Sequence, residues 1–83
     1  MNDSANNYCV NMVEIGKRIR ALRRSKGLTI QQLEDFFAIT PQALYKWERG
    51  DSIPEVQNLV ALSRLLGVSI DTLLLGDSYP IAA

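Results

Sequence analysis

Gln42, Tyr45, Lys46 and Arg49 bring an amide, a phenol, an ammonium and a guanidinium into one short stretch. Their chemistry is recognition: they donate and accept hydrogen bonds at a polar or anionic surface. What gathers them is a helix. Thr40 caps it by accepting a free backbone N–H of the first turn. Pro41 fits the first helical position, where no N–H is needed. Gly50 suits a left-handed stop just past the end. Leu44 and Trp47 sit three apart with Ala43 beside them and form an apolar back, which leaves the four polar side chains on the other face.

The segment before it supplies a second helix. Thr29 caps Ile30 to Phe37, with Gln32 three residues on as the reciprocal partner of a capping box. Ile30, Leu33 and Phe37 make its buried stripe, and Phe36 covers an edge. Ala38-Ile39 alone separates it from the Thr40 cap. Two helices joined by so short a turn make a helix-turn-helix, whose second helix can enter the DNA major groove. Arg23, Lys26-Gly27-Leu28-Thr29, Leu33, Ile39-Thr40, Leu44, Lys46-Trp47-Glu48-Arg49-Gly50, Pro54 and Leu66-Gly67-Val68-Ser69 recur at the spacing of a known family. In these residues the chain resembles the phage-repressor (Cro-like, XRE-type) helix-turn-helix proteins, from Ile15 to Gly76.

The resemblance implies an all-α fold, a five-helix lambda-repressor-like DNA-binding domain. Its base-reading positions fall on Pro41, Gln42, Tyr45 and Lys46. Gln42 has the geometry to bond adenine N6 and N7, and Lys46 to reach guanine O6 and N7, while Pro41 offers an apolar contact to a thymine methyl. Thr40, Gln31, Lys17 and Arg49 are the phosphate candidates. Arg23 and Glu48 match a family ion pair inside the domain. The chain departs from the pattern at Ile30, where glutamine is usual, at Glu34 and Ala38, where alanine and glycine are usual, and in the acidic loop residues Asp51 and Glu55. The implied function is a sequence-specific transcriptional regulator, a repressor acting on operator DNA. A protein-interaction module that retains the fold, antirepressor-like or sensor-like, is the alternative.

Three further helices are expected. Glu14 to Lys26 carries the stripe Ile15, Ile19 and Leu22, with Lys17, Arg18, Arg20 and Arg24 on its other faces. Val56 to Leu66 follows a loop in which Ser52 is a candidate cap. Ser69 caps Ile70 to Leu75, whose leucines are too many for one buried stripe. Leu73, Leu74 and Leu75, extended by Ile70 and Val68, are therefore expected to join two copies into a twofold dimer on an inverted-repeat operator. The domain spans residues 14–76, between an arm at 1–13 and a tail at 77–83.

With 83 residues the chain suits one small domain, which is marginal alone and gains from association. The formal net charge is zero, but its distribution is uneven. From Lys17 to Arg49 eight bases face Glu34, Asp35 and Glu48, an excess of five, and the acids elsewhere offset it. A basic face on an acidic body suits phosphate. There is no histidine and a single cysteine, Cys9, read as an inert thiol in the arm. No metal site, cofactor or enzymatic constellation is expected from that inventory. No signal peptide or membrane span is apparent, so a cytoplasmic location is expected.

Overall fold

The computed structural model describes residues 10–37 and 39–76. Among these residues five helices follow one another: α1 Met12–Ser25, α2 Ile30–Phe37, α3 Pro41–Arg49, α4 Val56–Leu66 and α5 Ile70–Leu75. Residues 1–9 and 77–83, and with them Cys9 and most of the expected arm and tail, lie outside the described residues, as does Ala38.

Helix α1 begins at Met12, two residues earlier than the sequence reading placed it. The reason is a cap supplied by Asn11. Asn11 Oδ1 accepts the backbone N–H of Glu14 at 3.1 Å, which satisfies an otherwise free donor of the first turn. At the other end the Gly27 and Leu28 N–H groups bond back to the Arg24 and Arg23 carbonyls at 2.9 and 3.0 Å and drop Leu28 towards the core.

Thr29 and Gln32 form the reciprocal capping box of α2. The Gln32 N–H donates to Thr29 Oγ1 at 3.1 Å, and the Thr29 N–H donates to Gln32 Oε1 at 2.8 Å. Helix α3 has the three terminal devices read from its sequence. Thr40 Oγ1 accepts the Ala43 N–H, Pro41 opens the first turn, and Gly50 closes it at φ +84°. Ser69 caps α5 by accepting the Thr72 N–H at 3.0 Å. Ser52 does not cap α4: Glu55 holds that position, with no side-chain bond to the first turn.

Every helix contributes to one core, built from Ile15 and Ile19 of α1, Leu33 of α2, Leu44 and Trp47 of α3, Leu62 and Leu66 of α4, and Leu73 of α5. Burying each such side chain contributes about 1.5–3 kcal/mol. Phe37 stands edge-on to Trp47 with ring centroids 5.9 Å apart, which fastens the end of α2 to α3. Phe36 meets Phe37 in the same edge-on manner at 5.1 Å, yet stays largely exposed.

Helix α1 lies so close to the end of α3 that only glycine fits at position 16. A Cβ there would stand 2.4 Å from the Trp47 carbonyl oxygen and 2.6 Å from that of Glu48. Both are backbone atoms near a helix end and cannot swing aside. On the far side of α1, the Arg18 guanidinium donates from Nε to the Leu73 carbonyl at 2.9 Å and from Nη2 to the Leu74 carbonyl at 3.0 Å. It satisfies carbonyls that the end of α5 leaves free.

The α5 leucines require a correction. Leu73 is fully buried and cannot belong to a surface contact. Leu74 is half-buried against the core, and Ile70 and Leu75 are half-buried. The most exposed large apolar side chain among the described residues is instead Val56 at the start of α4, at 75%.

Candidate nucleic-acid interface

Leu44, wholly buried, and Trp47 turn the apolar back of α3 into the core, and that fixes what its front presents. Gln42, Tyr45, Lys46 and Arg49 are all exposed, and Pro41 is half-buried at the first turn. The four polar side chains thus share one solvent-facing surface of a helix capped at both ends. Gln42 offers both a donor and an acceptor, Lys46 three donors, and Tyr45 a hydroxyl.

One guanidinium ties the end of α3 to α1. Arg23 Nε donates to Glu48 Oε2 at 2.6 Å, and Nη2 donates to Oε1 at 3.2 Å. Nη1 donates to the Leu28 carbonyl at 2.8 Å, so the same side chain also ties down the turn that leads into α2. The two side chains are 11% and 8% exposed. A bidentate charged pair this far from water fixes its own geometry, and losing either partner strands the other. Gly16 packs against the same end of α3. The polar front of α3 therefore stands on an element whose far end is clamped twice.

The expected phosphate contacts are arranged unequally. Thr40 uses its oxygen as the α3 cap, and its hydroxyl proton is left to donate outward. Gln31 is exposed in the first turn of α2. Arg49 Nε donates to Asp51 Oδ2 at 3.0 Å, a solvent-exposed pair that water screens and an anion can displace. Lys17, 69% exposed, is 3.5 Å from Glu14 on its own helix. The bases of α1 that flank the front of α3 are Arg20 and Arg24, which share a cleft with Tyr45 and Arg49. Neither was singled out from sequence, because a helical stripe locates the buried face and says little about which exposed base lies beside a neighbouring helix. Ile30 packs on the core, and Glu34 is half-buried.

Among the described residues no group of histidine, cysteine, aspartate and glutamate could hold a metal ion, and no helix is long and apolar enough to cross a membrane.

Comparison with known proteins places this architecture. Residues 19–73 match the family model described as Helix-turn-helix. The chain belongs to the XRE-type helix-turn-helix family of transcription regulators. It is 44% identical over 61 residues to the SPbeta prophage-derived HTH-type transcriptional regulator YonR of Bacillus subtilis, covering 74% of this chain and 56% of that protein. It is 34% identical over 65 residues to the HTH-type transcriptional activator BcrR of Enterococcus faecalis, covering 78% of this chain and 32% of that one. Among solved structures it is similar to the P22 c2 repressor protein in complex with a synthetic operator. The TM-score is 0.71 at 38% identity, covering 76% of this chain and 96% of that one. The chain spans about half the length of YonR, 56%, and about a third of BcrR, 32%.

Proposed function

We propose that the chain is a sequence-specific repressor that inserts α3 into the major groove of operator DNA. The observation that carries the reading is the front of α3: Gln42, Tyr45 and Lys46 exposed together on a helix whose back is core and whose end is held by Arg23. Gln42 pairs with an adenine edge, Lys46 with a guanine edge, and Pro41 and Tyr45, one turn apart, add contact along the side of the surface. Thr40, Gln31, Lys17 and Arg49 bond the phosphate backbone and set register without reading sequence. Occupation of the operator then excludes transcription by volume, which needs no cofactor and no catalytic step. The similarity to an operator-bound repressor supports this direction of control.

One recognition helix reads too few base pairs to select a single site, so the working unit is a twofold dimer with half-sites about 34–36 Å apart. With Leu73 inside the core, Ile70, Leu74 and Leu75 are what α5 has left to offer such a contact.

Selection from a pool of random duplexes, followed by fluorescence anisotropy at stated salt, tests the reading. An enriched site bound about 1,000-fold or more above random duplex is expected. Equal affinity for selected and random duplexes would instead assign the fold to protein interaction or to non-specific binding.

A further inference from the structure

The far end of α1 and the front of α3 enclose a cleft of about 320 Å³. Arg20 and Arg24 form one wall, one turn apart on the same face of α1. Tyr45 and Arg49 form the other, and Ile30 of α2 closes it. In the floor, Arg23 is already neutralised by Glu48 and bonded to the Leu28 carbonyl. Arg20 and Arg24 have no ion-pair partner among the described residues. Like charges held four residues apart on a helix repel, and an anion between them relieves that cost. The guanidinium fork matches the oxygens of a phosphate, and the Tyr45 hydroxyl adds a neutral donor at the opposite wall.

We infer that this cleft seats one phosphate of the DNA backbone, with Arg20 and Arg24 as its charged donors and Tyr45 as the neutral one. The occupant follows from position. Tyr45 stands at the edge of the α3 front, beside Gln42 and Lys46, and also lines the cleft, so a duplex laid on that front brings its backbone to this wall of α1. The inference rests on the DNA reading above and adds to it a second phosphate site on α1, apart from Lys17.

Arg20→Gln, Arg24→Gln and the double variant test it, with the urea midpoint as control because both side chains are exposed. The probe is a duplex selected by the wild type, together with a random duplex. The double variant is expected to bind both about 10-fold more weakly, and its slope of log K against log salt is expected to flatten by about 0.9, the value for one phosphate. Uncharged methylphosphonates placed singly along the duplex are expected to weaken the wild type at every contacted phosphate. At one of these per recognition helix, the one in the cleft, the same replacement leaves the double variant unaffected. Equal sensitivity of both proteins at every phosphate overturns the proposal. So does a double variant with wild-type affinity and salt slope, including the case in which inorganic phosphate at fixed ionic strength still shifts the Arg20 and Arg24 resonances of the free protein. If Lys46→Ala loses base preference while the double variant keeps the wild-type slope, only the cleft assignment fails. A wild type that binds no duplex removes both.

Discussion

Replacing Arg23 and Glu48 singly and together by methionine probes the clamp that positions α3. Glu48→Met removes two bonds and leaves the guanidinium with the Leu28 carbonyl as its remaining partner. Arg23→Met removes three bonds and strands both a carboxylate that is 8% exposed and the Leu28 carbonyl. Stranding one member of a buried pair costs about 3–5 kcal/mol. We therefore expect about 3 kcal/mol for Glu48→Met and about 4 kcal/mol for Arg23→Met. The double variant strands no charge and should cost about 4 kcal/mol, well short of the sum of the singles, a coupling of about 3 kcal/mol. A domain of 83 residues has roughly 4–12 kcal/mol in total, so the titrations belong in a fixed concentration of a stabilising osmolyte. Trp47, the only tryptophan and itself in the core, reports unfolding by fluorescence in urea. With a slope near ~1.5 kcal/mol per molar, the single changes move the midpoint by about 2–3 M. Strict additivity of the two single effects would refute a buried, coupled pair.

The close approach of α1 to α3 makes Gly16→Ala destabilising by about 2 kcal/mol or more, although alanine is the better helix former by about 1 kcal/mol. Thermal melting checks this, and an unchanged or raised Tm would mean the helices can separate freely. Arg18→Met frees the Leu73 and Leu74 carbonyls and should cost about 1–2 kcal/mol, read in the same way. Leu75→Glu should leave the fold intact and shift sedimentation from dimer to monomer. A wild type that stays monomeric at tens of micromolar while binding a site with no inverted repeat would remove the dimer.

What could be read in advance was what local chemistry determines. The caps at Thr29, Thr40 and Ser69 and the stop at Gly50 each use a side chain or a backbone angle within a few residues, and their helices lie where the residues put them. Asn11 sends the same signal, with Glu14 three residues on, but it sits in an asparagine-rich stretch and was absorbed into the arm. Contacts between distant segments were less legible. Nothing local distinguishes Gly16 from any glycine in a helix, because its reason is the end of α3. Leu73 differs from its expected place at the surface because a six-residue helix covered from two sides has no single buried stripe. Leu73 goes wholly inside and Arg18 folds over the carbonyl end. The placement of Arg20 and Arg24 beside Tyr45 likewise depends on how α1 crosses α3. Arg23 and Glu48 were paired in advance through the family resemblance, since 25 residues separate them.

Base reading by α3 is decided by a binding cycle on Lys46. Wild type, Lys46→Ala and Lys17→Ala are titrated against a selected duplex and against the same duplex with the guanine opposite Lys46 replaced. Lys46→Ala is expected to lose about 1–3 kcal/mol on the selected duplex and little on the replaced one, so that preference at that base pair disappears. Lys17→Ala should weaken both duplexes alike and flatten the salt slope. Equal, sequence-independent losses from both variants would contradict the claim and leave Lys46 as one more positive charge.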